Sequence, residues 1–500
     1  MPEAIVIGAG FGGMAAGLRL RAKGYDVTIV DRCDSLGGRA QVYERSGFKH
    51  DAGPTVITAP FLFDELFDLF GKRRENYVDF VPLDPWYRFH FSDGRTFDYG
   101  SSLEKTLSEI ERFNPEDVKG YQRLLEHARR IFDVGFSKLS DQPFDSVGTM
   151  LSQVPNLARL GCYRSVWGMV SHYLKDPALR QAFSIHPLLV GGNPFDTTCI
   201  YCLIHYLERQ WGIHFAMGGT GALVDALERL MVEEGIRIRL GSTVEEITVK
   251  NRRATGVRFA NGEQLDADLL VSNADPIHLY KNMLPPGTAN LSARVKSGQA
   301  RLSMGLYVLY FGTTKTYPEV AHHTIWMGAR FKSLLREIFK GNRMPEDFSL
   351  YVHRPTATDS SFAPPGCDSF YVLAPVPNLN APIDWDDEGP RLQDRIVSAL
   401  DATLLPGLRQ TIAEPFFKTP RDFASDYLSF KGSGFSIAPL FSQSAWFRFH
   451  NRSEALENLY LVGAGTHPGA GVPGVLSSAK LVDRIIPAEV PLKPSVGSVA

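Results

Sequence analysis

Two glycine-rich stretches bracket this chain of 500 residues, and each sits between an apolar run and a helical pattern. Near the N-terminus, Ala4-Ile5-Val6-Ile7 runs into Gly8-Ala9-Gly10-Phe11-Gly12-Gly13. Near the C-terminus, Leu459 to Val462 runs into Gly463-Ala464-Gly465-Thr466-His467-Pro468-Gly469-Ala470-Gly471-Val472-Pro473-Gly474. In the first stretch, Gly8, Gly10 and Gly13 fill the three glycine places of a G-x-G-x-x-G turn. One permits the tight turn, one lets backbone approach a pyrophosphate, and one lets helix and strand pack closely. The phosphates of such a ligand rest at a helix N-terminus, where free N–H groups and the dipole favour negative charge. Asp31 follows at about the spacing usual for an acid that accepts hydrogen bonds from a ribose.

The pattern around Asp31 is a βαβ half-unit. Ala4–Ile7 and Val27–Val30 read as short buried parallel strands, and Gly12 to Lys23 reads as the helix between them, stopped at Gly24. Gly37-Gly38-Arg39-Ala40 and Asp51-Ala52-Gly53-Pro54-Thr55 come next, and a glycine pair before an arginine can bring backbone and a guanidinium to a diphosphate. A second α/β patch follows Met217-Gly218-Gly219-Thr220-Gly221, with a helix over 222–233, strands at 236–238, 244–249 and 269–271, and a hairpin signal at Asn261-Gly262. The closing stretch predicts a helix from Gly474 to Ile486, ended by Pro487. A chain that uses both ends in this way folds them around one long cofactor. FAD, with its dinucleotide half and its flavin half, fits that demand better than a nicotinamide.

Composition sets the outer limits. The length exceeds what one core supports, so two domains are expected. Lys+Arg 53 against Asp+Glu 55 leaves a net charge of -2, which argues against a general nucleic-acid binder. Five cysteines, an odd number, do not make a secreted disulfide framework and point to a reducing cytoplasm. The first strand begins almost at the initiator methionine, which leaves no room for a leader, and no run reaches the ~18 apolar residues of a membrane span. The expected fold is α/β. A Rossmann-like FAD-binding domain is assembled from 1–100, 215–285 and 425–490. An α+β substrate domain with a helical membrane-facing region covers 101–214 and 286–424, and 491–500 forms a flexible tail.

These residues resemble the flavin-dependent amine oxidase and phytoene desaturase superfamily, specifically the bacterial and fungal-type phytoene desaturases. The resemblance rests on the N-terminal turn, Gly37 to Ala40, Asp51 to Thr55, Leu188-Leu189-Val190-Gly191-Gly192-Asn193-Pro194, Gly218 to Ala222, and Gly463 to Gly474. It implies that FAD is held by Gly8, Ala9, Gly10, Phe11, Gly12, Gly13, Asp31, Gly38, Arg39, Gly53, Pro54, Thr55, Gly463, Gly465, Val472, Pro473 and Gly474, with Val244 on the adenine. Pro473 suits the start of a helix whose N-terminus would favour the charge of a reduced flavin. The resemblance further implies desaturation of a C40 polyene, phytoene, to lycopene, by repeated hydride transfer and proton loss, with oxygen or quinone as terminal acceptor. Other carotenoid-acting flavoenzymes (an isomerase, a ketolase, a C30 desaturase) and a non-enzymatic prenyl-lipid carrier of the same fold are the alternatives. No Ser/His/Asp or paired-carboxylate constellation emerges, and Arg164 and Asp51 are the polar residues to test first for catalysis.

The middle of the chain bears on the substrate. From Gln181 to Leu207 the sole formal charge is Asp196, among Phe183, Leu188, Leu189, Val190, Phe195, Ile200 and Tyr201. Such a segment lines an apolar channel or serves as plain core. Tyr121, Leu124, Leu125, Ala128 and Phe132 form a stripe beside Lys119, Arg123, Arg129 and Arg130, and 146–175 carries Arg159, Arg164, Trp167, Tyr173 and Lys175 without an acid. That pattern suits an anionic lipid surface, hence a cytoplasmic, peripherally membrane-associated protein, or else a solvated basic face. Cys199, Cys202 and His205 have metal-like spacing but no fourth ligand nearby, and His322, His323 and His467 read as structural or polar lining, so no metal is expected.

Overall fold

The computed structural model describes residues 1–135, 148, 155–156 and 158–488. The opening strand Glu3–Ile7 lies at the centre of a five-stranded parallel sheet. Asp26–Val30 and Arg237–Arg239 follow on one side, and Leu269–Ser272 and Leu459–Leu461 on the other. In chain order the arrangement is 3-2-1-4-5, so the strand order reverses beside the first strand. Ligands of such sheets bind at that switch point, beyond the C-terminal strand ends. Strands buried on both faces need apolar side chains at every position, which is why Ala4, Ile5, Val6 and Ile7 run without a polar break. The helix Phe11–Ala22 is buried nearly all round, between the sheet and the helices Gly219–Glu233 and Val472–Ile485.

A second sheet has seven strands, in the order Ile412–Lys418, Gly305–Thr313, Asp368–Val376, Leu350–His353, His323–Trp326, Tyr87–His90 and Thr96–Tyr99. Its strand Gly305–Thr313 is buried along its whole length, and its side chains alternate between two cores. Leu306, Val308 and Tyr310 join a core that includes Leu334, Leu335 and Phe183, whereas Tyr307, Leu309 and Phe311 pack with Trp385, Leu392 and Ile396 of the helix Trp385–Ala402.

Two expectations change here. Tyr87–His90 and Thr96–Tyr99 belong to the seven-stranded sheet, although the boundary read from sequence placed 1–100 wholly with the cofactor domain. Alternation in a short strand marks a strand but not its sheet. The helix Pro115–Gly135 does carry the stripe Tyr121, Leu124, Ala128 and Phe132, but the structure buries it, and Arg129 bonds Glu126 at 2.8 Å and Asp133 at 3.2 Å. That face is spent on the core. Part of the basic segment 146–175, and the tail 491–500, lie outside the described residues. Among the described residues no helix is long and apolar enough to cross a membrane.

Candidate active site

A cavity of about 650 Å³ opens at the switch point and runs from the glycine loops into the second core. Its volume falls within the ~300–1,000 Å³ usual for ligand sites. The polar end is built by backbone. Gly8 takes φ +95°, and its N–H donates to the Val30 carbonyl at 2.8 Å. A Cβ at Gly13 would lie 1.8 Å from the Gly8 carbonyl oxygen, so helix and strand meet this closely only because the residue is glycine. Both helices that point at the cavity, Phe11–Ala22 and Val472–Ile485, begin with a glycine cap, no side-chain capping bond and no acid in the first turn. Their N-terminal N–H groups and dipoles are therefore available to an anionic ligand.

Of the residues singled out for the cofactor, all but Ala9 and Gly13 line this cavity. Those two act from behind: Gly13 by the close packing just described, and Ala9 by donating its N–H to Asp31 Oδ2 at 2.6 Å. Asp31 Oδ1 accepts the Cys33 N–H at 2.8 Å, and each oxygen keeps lone-pair capacity for a ribose hydroxyl. Arg39 is half-buried; desolvation pushes its guanidinium below the usual range, while nearby Asp275 supports the charge, and Nη2 donates to Ser429 Oγ at 2.7 Å. Val244 lies beside Ser242 and Thr243 on the wall. Thr55 Oγ1 and Tyr351 Oη are 2.5 Å apart.

Three residues that the sequence reading did not name complete this end. Asn273, just past the strand Leu269–Ser272, fits between the loops: a Cβ at Gly12 would come 2.6 Å from its Oδ1, and one at Gly463 2.5 Å. Asp275 keeps one buried carboxylate oxygen without a hydrogen-bond partner, on a cavity-lining residue. Arg448 is 1% exposed and holds the C-terminal loop by donating to the carbonyls of Ala464 at 2.6 Å and Thr466 at 2.9 Å. Asn273 and Asp275 carried a signal: polar residues directly after a buried strand at the switch point. Arg448 had none, because its role depends on a loop 16 residues away. The donor set fits FAD: the uncapped N-terminus of Phe11–Ala22 and Arg39 for a diphosphate, Asp31 for a ribose, and a floor for the flavin made by the loop from Gly463 and the uncapped start of Val472–Ile485.

The other end is apolar. Leu188, Leu189, Ile200, Leu203, Leu207, Phe331, Leu334 and Phe435 line it, so the charge-poor segment beginning at Gln181 forms cavity wall. Gly191, at φ +82°, turns the chain there. An acidic group interrupts: Glu208, one residue beyond that segment, accepts from Tyr87 Oη at 3.2 Å and pairs with His186 Nε2 at 3.0 Å. Cys199, Cys202 and His205 do not bring their ligand atoms together.

The residues marked first for catalysis are placed elsewhere. Arg164 is half-buried, with its guanidinium 5.7 Å from the centre of the exposed Tyr163 ring, and it does not line the cavity. Asp51 lies behind the wall, where Oδ1 accepts the Thr220 N–H at 3.0 Å at the start of the helix Gly219–Glu233. Burial pushes its carboxyl up to about 6, against the backbone hydrogen bonds that pull it down. A raised carboxyl binds its proton more tightly in the folded chain, so its contribution to stability is present below pH ~4 and is lost as pH rises toward ~6, to a total of about 3 kcal/mol. Urea unfolding across that window is expected to show this slope in the native protein and a flatter profile in Asp51→Asn; identical profiles would rule the assignment out.

Comparison with known proteins agrees with this geometry. The family model for flavin containing amine oxidoreductases matches residues 11–484. A phytoene desaturase (lycopene-forming) of Pseudescherichia vulneris is 48% identical over 96% of this chain and 98% of its own length. One from Paracoccus sp. is also 48% identical, over 97% of each. Among solved structures, an oxidoreductase from Methanosarcina mazei superposes with a TM-score of 0.65 at 17% identity, covering 96% of this chain and 100% of that one. Glycine loops at both chain ends, a switch-point cavity and matches along nearly the whole length converge on one assignment: the chain belongs to the flavin-containing amine oxidoreductase family, in the branch that holds the phytoene desaturases.

Proposed function

We propose that this protein is an FAD-dependent desaturase that converts phytoene to lycopene. The observation that carries the proposal is a single cavity whose polar end fits FAD and whose other end is hydrocarbon-like. Relatives 46–48% identical over nearly their full length are lycopene-forming phytoene desaturases. The bound flavin supplies a two-electron acceptor for a hydride from an allylic C–H. The chain's own residues do the rest. Arg39, Asp31 and the N-terminus of Phe11–Ala22 hold the diphosphate-ribose part, and the N-terminus of Val472–Ile485 presents its positive end where negative charge develops. A polyene offers nothing to hydrogen-bond, so Leu188, Leu189, Leu334 and Phe435 orient it by shape and keep water out. Incubating the FAD-loaded protein with phytoene in liposomes is expected to yield lycopene on pigment chromatography; absence of any coloured polyene overturns the reading.

Peripheral membrane association, with oxygen or quinone reoxidising the flavin, belongs to the same proposal, because such a hydrocarbon is delivered from lipid. The support is the cavity rim: Phe441 lines it and is 50% exposed, and Phe447, two residues beyond the lining residue Ala445, is 38% exposed. Co-sedimentation with anionic liposomes is expected to fall several-fold in the Phe441→Asp, Phe447→Asp variant, each aromatic being worth about 1.5–3 kcal/mol when buried in lipid. Unchanged co-sedimentation would rule out this rim as the contact.

A further inference from the structure

The strands His323–Trp326 and Leu350–His353 pair antiparallel with His323 opposite His353, and His322 immediately precedes the first of them. That register gathers three imidazoles. Their ring centres lie 4.6 Å (His322 to His323), 4.8 Å (His322 to His353) and 5.4 Å (His323 to His353) apart. They are 6%, 0% and 0% exposed in chain order. One ring nitrogen of each lies within 4.8 Å of one from each of the others, and among the described residues no other His, Cys, Asp and Glu form such a group.

The hydrogen bonds around the cluster are those of a ligand set. His322 Nδ1 bonds Thr358 Oγ1 at 2.7 Å, and His323 Nδ1 bonds Tyr351 Oη at 2.8 Å. In both rings the other nitrogen, Nε2, is buried and has no partner. Neither nitrogen of His353 makes a hydrogen bond of good geometry, and burial beside the His322 ring holds this imidazole well below its usual range, against the opposing pull of the His322 carbonyl. Metal-bound histidines show this division: one nitrogen oriented by a hydroxyl or carbonyl, the other free for the ion. The neighbouring Arg354 is matched by Asp368 at 3.3 Å and by the Val320 carbonyl at 2.8 Å. Phe215 completes an apolar surround, with its ring centre 4.7 Å from that of His322.

We propose that His322, His323 and His353 form a divalent-metal site suited to Zn²⁺ or a similar borderline cation, with three imidazole ligands and a fourth position for water. Imidazoles without carboxylates select zinc-like ions over magnesium or calcium, and small ring movements bring the nitrogens to the ~2.0–2.1 Å of a Zn–N bond. None of the three lines the cavity, so the ion does not touch the polyene. It ties two strands together and fixes His323, which orients Tyr351, whose hydroxyl meets Thr55 on the cavity wall. The site is independent of which hydrocarbon the cavity takes.

The test uses the full-length FAD-loaded protein, exposed to Zn²⁺ or Co²⁺ and then desalted. Elemental analysis is expected to find about one equivalent of Zn²⁺ per chain, and the Co²⁺ form to show the visible absorption of a four-coordinate nitrogen site. His322→Phe is expected to retain less than about a tenth of an equivalent, with flavin content and circular dichroism checking that it folds. Tyr351→Phe keeps all three ligands but removes the partner of His323, and is expected to weaken Zn²⁺ affinity about 10–100-fold. The native protein holding no Zn²⁺ above buffer, or the His322→Phe protein holding as much as the native one, overturns the proposal.

Discussion

Purified Gly13→Ala protein is expected to carry less than about a tenth of the flavin of the native protein and to show no measurable desaturation. The reason is steric rather than conformational. A Cβ there would sit 1.8 Å from the Gly8 carbonyl oxygen, which is itself held by the turn between the first strand and the first helix. Backbone cannot rotate out of the way as a side chain can, so the helix must move off the sheet. Its N-terminal N–H groups then leave the place where they meet a diphosphate. Flavin absorbance relative to protein measures the outcome. Gly298→Ala is the control: it lies in the helix Leu291–Gln299 with nothing within 4 Å of the new Cβ, and it is expected to leave flavin content unchanged and to add a few tenths to about 1 kcal/mol of stability. Full flavin content in Gly13→Ala would refute the assignment of this turn to the cofactor.

Leu189→Arg tests the opposite end. Leu189 lines the apolar passage and is half-buried, so the substitution sets an unpaired guanidinium against hydrocarbon without touching the glycine loops. A charge left without a partner in such a wall costs several kcal/mol on substrate binding, and about 3 kcal/mol corresponds to a ~100-fold loss. The expected result is native flavin content with kcat/KM for phytoene lowered at least about 100-fold. Undiminished turnover would mean that the polyene does not pass Leu189. The two variants separate the functions: Gly13→Ala loses the cofactor, while Leu189→Arg keeps it and loses the substrate.

The cofactor end was legible from sequence because its constraints are local. Gly8, Gly10, Gly13, Asp31 and Pro473 are demanded by a turn, a close approach or a helix start within a few residues, and such demands leave the same residues in any chain that meets them. Helix Phe11–Ala22 and the strands beside it were legible for the same reason. The stripe at Tyr121–Phe132 does lie on a helix, but its apolar residues are buried in the core, since periodicity reports that a face is apolar and not what covers it. The hairpin of Tyr87–His90 and Thr96–Tyr99 joins the second sheet through a pairing that sequence does not show, because Tyr87–His90 meets His323–Trp326 more than 200 residues on.

What the sequence determined by itself is therefore the polar end of the cavity: its glycines, its acid and the two helix starts, set largely by local backbone geometry. What only the tertiary structure decided is everything made by convergence. Asn273 wedges between loops from both chain ends, and Arg448 clamps the carbonyls of Ala464 and Thr466. Glu208 finds His186, and His353 meets His322 and His323 across a strand pair. A buried polar group needs a partner, but sequence does not say which distant segment supplies it. Asp51 and Arg164, the polar residues marked first for catalysis, do not line the cavity, because the direction a side chain faces is set by packing.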